Sequence, residues 1–343
     1  MEASSGVLDG LLSLPKGGGA LRALGERFQP DLLRGTGNYS VPISVLEGPN
    51  RIKPDLQLRY SSGQGNGPFG LGWQLNLLDI RRRTDRGVPT YTDQDEFVLG
   101  GSDVLVPVGG GRYRPRSDTS FWDIRRAGDG WVVRTKEGRR YTFGTTEGSR
   151  VSRGGRVFAW LLDTETDAAG NEIRYTYDRR GGYLYLRQIN WSIYTLRFLY
   201  EERPDILHDG RAGFPIQTIW RCATIELRCE RLDQPLLKRY TLDYDEANGS
   251  GLSLLTEIGL TGYDEAGESE DYFTTTLRYS QHRPEAARYM HLDGELLPSL
   301  SNPDTTLVDM TGDSLPDLLQ TGPGGHRFWP NRGQGTFGDV HRL

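Results

Sequence analysis

Near the C-terminus, residues that carry oxygen donors recur at every second position. The donors stand at relative positions 1, 3, 5, 7 and 9 of one loop: Asp309, Thr311, Asp313, the backbone carbonyl of Leu315, and Asp317. A hard cation such as calcium takes about six to eight oxygen ligands, which a tightly curled loop with alternating donors can supply. The pattern predicts a calcium site. The alternative is a polar turn that is capped by carboxylates and holds no metal.

A second motif, Gly65-Asn-Gly67-Pro-Phe-Gly70, formally matches the dinucleotide fingerprint G-x-G-x-x-G. That fingerprint needs a strand before it and a helix after it, so that the helix N-terminus meets the pyrophosphate. Here Pro68 lies inside the motif, and a run with strand-like alternation begins at Trp73. We predict a structural turn rather than a nucleotide site.

Signatures of catalysis are otherwise missing from the sequence. None of the motifs G-x-x-x-x-G-K, H-E-x-x-H, C-x-x-C or G-x-S-x-G occurs. The histidines are scattered, without a close partner at ligand or triad spacing: His208, His282, His291, His326 and His341. The sequence therefore predicts a protein that is not an enzyme.

The chain around these motifs is patterned as strands. Apolar and aromatic side chains alternate with period two in runs that begin at Tyr39, Leu56 and Trp73, and such alternation is typical of half-buried strands. Strands and turns then alternate at spacings of roughly 8–12 residues, which favours an all-β protein. Residues 201–215 lack periodicity and are predicted to form a longer loop. Residues 19–27 would allow one short helix, although we favour a segment that caps the sheet.

Composition agrees with strands and turns and argues against several partners. Glycine accounts for 45 of 343 residues, about twice its average share of roughly 7%. The formal charge of −5 gives no reason to expect nucleic acid, and the cluster Arg81-Arg82-Arg83 is predicted to be a solvated strand end. No run of about 18 apolar residues predicts a membrane span, and the N-terminus has no Sec-type signal pattern.

The two cysteines are predicted to remain unpaired. Cys222 and Cys229 lie seven positions apart in one strand-like run. An odd separation places them on opposite faces of a continuous strand, too far apart for a disulfide. The protein is therefore predicted not to depend on an oxidising compartment for its stability.

Two segments carry a family resemblance. SLPKGGGALRALGERFQPDLLRGTGNYSVPI and LQLRYSSGQGNGPFGLGW resemble the start of the SpvB/TcaC family of bacterial toxin proteins. This family includes the B components of insecticidal toxin complexes. A later stretch, D-x-x-G-N-x-I-x-Y-x-Y-D from Asp167 to Asp178, resembles the YD unit of RHS-type proteins, whose strand-turn-strand units build a hollow shell.

The C-terminal part resembles a different module. The loop from Asp309 to Asp317 is similar to the calcium loop of FG-GAP/VCBS repeats, which form the blades of integrin-α-like propellers. The run Asn331-x-Gly333-x-Gly335-x-Phe337-Gly338 matches the end of such a repeat. Thr311 stands where asparagine or aspartate is common, so we expect a lower affinity for calcium.

These resemblances imply a fold and a domain division. We expect an all-β, multi-hairpin antiparallel sheet of RHS-shell type, with an incomplete β-propeller blade at the C-terminus. Residues 1–292 are predicted to form an SpvB-like N-terminal β domain. Residues 293–343 are predicted to form a linker and a first, incomplete FG-GAP/VCBS-type repeat, because prolines and a glycine interrupt residues 293–303. One blade cannot close a propeller, so the chain is expected to belong to a longer protein.

The resemblance implies a function as well. The chain is expected to be a non-enzymatic structural part of a bacterial toxin, of Tc-complex B type or SpvB-like, that helps form the shell enclosing or delivering a C-terminal toxic domain. Its implied partners are a pore-forming A-type component and a C-type component that bears the cargo, or its own C-terminal toxin domain. It is implied to be cytoplasmic in the producing cell and then secreted, without an N-terminal Sec signal.

Two alternatives remain open. The first is a secreted β-rich binding module for a carbohydrate or a host surface protein, with Tyr183, Tyr185 and Trp191 as an exposed aromatic platform. The second is an enzyme, because some SpvB-type proteins carry an actin-directed ADP-ribosyltransferase in a separate C-terminal domain. The glutamate-x-glutamate element of that domain has only an echo here, Glu268-Ser-Glu270, inside a charged turn.

Overall fold

A computed structural model describes these residues of the chain: 27–31, 35–117, 121–245, 250–280, 291–313 and 315–343. Within them the backbone forms β-strands, and the helical content is limited to two short 3-10 turns, Pro49–Arg51 and Glu147–Ser149. No helix in these ranges has the length and apolar character needed to cross a bilayer. The all-β prediction is confirmed. The short helix considered near residues 19–27 falls almost entirely outside the described residues.

The described residues fall into two compact units. The first comprises residues 27–31 and 36–280, and the second comprises residue 35 with 291–313 and 315–343. The domain division that we place between residues 292 and 293 stays a prediction.

The first unit begins with a small antiparallel sheet. Its strands, in the order in which they pair, are β1 (Arg27–Asp31), β2 (Thr36–Pro42), β3 (Gln57–Ser61) and β6 (Trp73–Leu75). Between the last two lie the short paired strands β4 (Asn66–Gly67) and β5 (Gly70–Leu71). Val41, Leu58 and Trp73 are buried, so the three alternating runs predicted here are confirmed as strands.

The next part of the chain closes into an eight-stranded barrel. Its strands are β7 (Asp79–Arg82), β8 (Phe97–Leu99), β9 (Asp103–Gly109), β10 (Arg112–Pro115), β11 (Asp123–Ala127), β12 (Gly130–Arg134), β13 (Arg140–Phe143) and, after β14 (Arg150–Arg153), β15 (Arg156–Thr166). Both β7 and β13 pair with the long strand β15, which completes the circle. Closure removes the free sheet edges that an open sheet would expose. Large rings meet edge to face in the core, where Trp131 lies 5.0 Å from Phe97 and 5.9 Å from Trp160 between ring centroids.

From β15 the sheet continues as a meander in which each strand pairs antiparallel with the one before it. The strands are β16 (Glu172–Arg180), β17 (Tyr183–Trp191), β18 (Tyr194–Asp209), β19 (Ile216–Cys229), β20 (Leu236–Asp245), β21 (Leu254–Tyr263) and β22 (Ser269–Thr276). The loop predicted over residues 201–215 is wrong for most of that range, because β18 extends to Asp209. Cys222 and Cys229 both lie buried in β19 as free thiols.

The turn of the YD-like unit forms as its residues require. Asp167 accepts hydrogen bonds through Oδ1 from the backbone N–H groups of Ala169 and Asn171, each 2.9 Å long. The Asn171 side-chain amide donates to Asp167 Oδ2 over 2.7 Å, and Gly170 takes a φ of 86° that favours glycine. The predicted strand-turn-strand unit is therefore confirmed, while an RHS-type shell stays a prediction.

The second unit contains one antiparallel four-stranded sheet. Its strands in order are β23 (Thr305–Val308), β24 (Asp317–Gln320), β25 (Arg327–Trp329) and β26 (His341–Arg342). Its core is small and consists of Leu318, Trp329 and Phe337, with Leu297 packed against them. The sheet has the size of one propeller blade, and its assignment to an incomplete propeller stays a prediction.

Candidate functional site

The acidic loop between β23 and β24 is organised around Asp317. This side chain is fully buried. Its Oδ2 accepts hydrogen bonds from the backbone N–H groups of Met310, 2.8 Å, and Thr311, 3.1 Å. Its Oδ1 accepts a third from the N–H of Asn331, 2.7 Å away, beyond β25. Asp317 therefore ties the loop to the segment that follows the neighbouring strand β25.

The other acidic side chains of this loop also accept hydrogen bonds from backbone N–H groups. Asp309 Oδ1 accepts the N–H of Gly312, 2.7 Å, where the backbone takes a φ of 76°. Asp313 Oδ1 accepts the N–H of Leu315, 2.9 Å. In the part of the chain that the structure describes, no three His, Cys, Asp or Glu side chains gather into a group that could hold a metal ion. The structure thus shows carboxylate-capped turns here and does not bring the three aspartates together as a ligand set. Calcium binding stays a prediction from the sequence.

The glycine-rich motif at residues 65–72 is a turn clamped to the meander. Gly70 has a φ of 85°, and a Cβ there would lie 2.8 Å from the carbonyl oxygen of Ser253. The N–H of Leu71 donates to that same carbonyl over 2.9 Å, and the N–H of Cys222 donates to the carbonyl of Pro68 over 2.7 Å. Strands β5 and β6 follow the motif, not a helix. The predicted structural turn is confirmed.

A buried ion pair also holds the glycine-rich turn in place. The Arg203 side chain is fully buried and Asp205 nearly so. The guanidinium donates to both carboxylate oxygens of Asp205, from Nε over 2.9 Å and from Nη2 over 2.8 Å. It also donates from Nη1 to the carbonyl of Gly67 and from Nη2 to Oδ1 of Asn66, each over 2.9 Å. One side chain of β18 therefore holds the glycine turn at several points.

Ser253 donates two further hydrogen bonds to the Asp205 carboxylate. It accepts the backbone N–H of Ser253 over 2.8 Å and the hydroxyl of Ser253 over 2.6 Å. Burial alone would raise the pKa of Asp205, but hydrogen bonds from Arg203 and Ser253 outweigh it and hold the pKa well below its usual range. Sequence reasoning missed this network because Arg203-Pro-Asp205 lies in the stretch predicted to be a loop. The alternation of charged residues there was the available signal.

Two arginines that we predicted to be solvated are largely buried. The Arg82 side chain is only 12% exposed and pairs with Asp95 over 2.5 Å. Arg83, 16% exposed, pairs with Asp85 and Glu96. The prediction that Arg81-Arg82-Arg83 is a solvated strand end is therefore wrong for these two residues. Side chains alternate along β7, so Arg82 is directed towards the barrel rings, 5.3 Å from the Phe97 centroid.

The aromatic platform proposed for a binding module does not form. Tyr185 and Trp191 are 1% and 2% exposed, and Tyr183 is half-buried. The Tyr185 hydroxyl accepts the N–H groups of Ile219 and Trp220, and Trp191 Nε1 donates to the carbonyl of Leu46 over 2.9 Å. Other parts of the first unit cover these rings, so they belong to its core and are not available to a ligand. Glu268 and Glu270, the echo of a transferase motif, lie exposed at the β21–β22 hairpin.

The family model described as SpvB, Salmonella virulence plasmid 65kDa B protein, matches residues 32–120 and 111–182. Mono(ADP-ribosyl)transferase SpvB of Salmonella typhimurium (strain 14028s / SGSC 2262) is 33% identical, and the match covers 49% of this chain and 33% of that protein. The SpvB of Salmonella choleraesuis (strain SC-B67) is also 33% identical, with coverages of 50% and 33%. The chain thus spans about a third of the length of the curated relatives it matches.

Solved structures share the fold over a longer range. The crystal structure of TcdB2-TccC3 superposes with a TM-score of 0.72 at 24% identity, over 97% of this chain and 21% of that chain. The Photorhabdus luminescens Tc holotoxin pore gives 0.75 at 23% identity, over 97% and 20%. The N-terminal domain of effector protein SpvB from Salmonella typhimurium strain LT2 gives 0.58 at 24% identity, over 65% and 99%. At these identities the likeness shows a common fold.

Proposed function

Residues 32–182 of this chain belong to the SpvB family, and from that premise we propose that the chain is a non-enzymatic structural part of a bacterial toxin. In this role it helps to wall the compartment that encloses or delivers a toxic domain. The observation that carries the proposal is the structural likeness to Tc toxin chains over nearly the whole chain. Fold alone does not determine function, so the proposal also needs support from the side chains.

That support comes from the two sequence motifs that we considered as binding sites. The glycine motif and the acidic loop both direct their polar groups at the backbone of this chain: Asp205 clamps a turn, and Asp317 ties a loop. A catalytic group has to reach a substrate in a productive geometry. Buried carboxylates whose oxygens are already occupied are suited to rigidity, and a container wall requires rigidity.

The proposed partners follow from the same premise. They are a pore-forming A-type component and a cargo-bearing C-type component, or a toxic domain in the same polypeptide. We further propose that the protein is made in the cytoplasm and acts after release from the producing cell.

Two measurements test this proposal. The purified chain is incubated with NAD and actin, and we expect neither NAD consumption nor modified actin above the blank; turnover by the chain itself would contradict the non-enzymatic role. The chain is then mixed with a C-type component and analysed by size-exclusion chromatography. We expect co-elution, since walls of one compartment must pack together. Separate elution under all conditions would count against the shell role.

Calcium binding at the loop of Asp309, Thr311, Asp313, Leu315 and Asp317 is proposed on the sequence pattern alone. Isothermal calorimetry with calcium on the native chain and on Asp313→Ala tests it. We expect binding heat for the native chain that is lost in the variant, because Asp313 is one of the donors of the pattern. Identical traces would disprove the calcium site, and the proposed toxin role would be unaffected.

A further inference from the structure

One surface pocket of the first unit is lined by two arginines that form no ion pair with any described residue. The pocket has a volume of about 430 Å³ and lies where the ends of β14, β16 and β19 meet. Its polar lining comes from Ser152, Arg153, Arg179 and Gln217, and its apolar lining comes from Phe214 and Pro215. Pockets that bind small molecules typically have volumes of about 300–1,000 Å³. We call it the Arg153–Arg179 pocket.

The arginine Arg179 is held in a fixed position in this pocket. Its Nη2 donates to the carbonyls of Arg150, 2.7 Å, and Glu147, 3.2 Å, and its Nη1 reaches the carbonyl of Ser152 at 3.5 Å. Carbonyl oxygens orient a guanidinium without cancelling its charge. Arg179 is therefore a positioned positive charge on an exposed strand end.

Neighbouring arginines increase this positive charge. Arg153 lines the pocket and is exposed. Arg156 lies over the ring of Tyr91 at 5.5 Å, and Arg180 lies over the ring of Trp220 at 5.4 Å. Within the described residues, none of Arg153, Arg156, Arg179 and Arg180 forms an ion pair, although every arginine of β7, β18 and β19 does. A concentrated positive charge in a chain of net charge −5 favours a negative partner.

Backbone contacts fix the glycine turn that forms one wall of the pocket. Gly181 and Gly182 have φ values of 59° and 84°, and a Cβ on Gly181 would lie 2.6 Å from the carbonyl of Gln217. The N–H of Gln217 donates to the carbonyl of Gly181 over 2.7 Å. Phe214 stacks on Tyr91 with 6.5 Å between ring centroids. A site that is already ordered loses little entropy when a ligand binds.

We propose that the Arg153–Arg179 pocket binds an acidic peptide segment of a partner protein, with a carboxylate on Arg153 and a neighbouring apolar side chain on Phe214 and Pro215. The guanidinium fork of Arg153 matches a carboxylate in bidentate geometry. Arg179 attracts the same carboxylate through its positive charge. It cannot bind the carboxylate in bidentate geometry, because backbone carbonyls already accept hydrogen bonds from its Nη groups. The apolar floor favours a peptide over a bare anion. This inference rests on the charge and shape of the pocket and is independent of the proposed toxin role.

The test uses the full chain and a fluorescein-labelled octapeptide of alternating glutamate and leucine. Fluorescence anisotropy should show binding that weakens as ionic strength rises. The same peptide with glutamine in place of glutamate should bind at least about tenfold more weakly, since it lacks the charge that the pocket recognises.

Two variants locate the binding. Arg153→Glu reverses an exposed charge, and Gln217→Glu places a carboxylate in the pocket; each should weaken binding of the glutamate peptide about tenfold. Arg174→Glu, at the opposite end of β16, is the matched control and should leave the affinity unchanged. Thermal unfolding by circular dichroism confirms that all three variants fold.

Several outcomes would overturn the proposal. These are no binding of the glutamate peptide, equal affinity for the two peptides, or equal weakening by Arg174→Glu and Arg153→Glu. Displacement of the peptide by inorganic phosphate at the concentration at which the peptide itself binds would indicate a site for small anions instead.

Discussion

Asp205 in the first unit and Asp317 in the second are both buried, and their partners differ. Asp205 faces the guanidinium of Arg203 and adds hydrogen bonds from Ser253. Asp317 receives three backbone N–H groups and, within the described residues, forms no ion pair. One negative charge is therefore neutralised by a positive charge and the other is only solvated by amide dipoles. Burial of an aspartate therefore does not by itself identify a metal ligand, because the groups that contact the carboxylate determine its role.

The largest loss of stability is expected when the ion pair between Arg203 and Asp205 is broken. Arg203→Ala leaves Asp205 buried without its cation, which should lower the free energy of unfolding of the first unit by about 3–5 kcal/mol. Urea denaturation followed by tryptophan fluorescence measures it. Arg197→Ala is the control, because its pair with Glu230 is roughly half exposed and should contribute about 0–1 kcal/mol. Equal losses in the two variants would show that the clamp is no stronger than a surface pair.

The acidic loop should be affected less and only locally. Asp317→Asn keeps the shape but can no longer accept hydrogen bonds at both oxygen positions, at a cost of about 1–3 kcal/mol to the second unit. Hydrogen exchange of the Met310, Thr311 and Asn331 amides should accelerate, while the first unit keeps its exchange rates. Unchanged protection of these amides would contradict the role assigned to Asp317.

Acid should weaken the first unit through Asp205. Its pKa in the folded chain lies below the ordinary value of about 3.9. The stabilisation is therefore fully present above pH about 4 and is lost as the pH falls through the lower folded-state pKa. Between pH 7 and about pH 3, the native chain should lose about 1 kcal/mol more unfolding free energy than Asp205→Asn. Parallel pH profiles for the two proteins would disprove the pKa shift.

The smallest effect is expected at the exposed part of the acidic loop. Asp313→Asn removes one charge from a side chain that accepts the Leu315 N–H in an exposed turn. Without calcium, the stability of the second unit should stay within about 0.5 kcal/mol of the native value. A loss as large as that of Asp317→Asn would remove the distinction between the buried anchor and the exposed turn.

Prediction from the sequence worked where local rules decide. Alternation with period two identified the strands at Tyr39, Leu58 and Trp73. The residues Asp167 to Asn171 specified the turn between β15 and β16, because turn chemistry acts over a few positions. It failed where the partner is far away in the chain. Alternation shows which side chains share a face and not what covers that face. The alternative that made Tyr185 and Trp191 an exposed platform is therefore wrong, because both lie in the core.

Local patterns were enough to predict that this protein consists of β-strands and turns, that Gly65–Gly70 is a turn, and that oxygen donors recur from Asp309 to Asp317. They could not predict that β7 and β13 both pair with β15 to close a barrel, that Arg82 is directed into it, or that Arg203 and Asp205 hold the glycine turn. Strand pairing and ion-pair burial depend on contacts between residues distant in the chain, and no local pattern records these contacts.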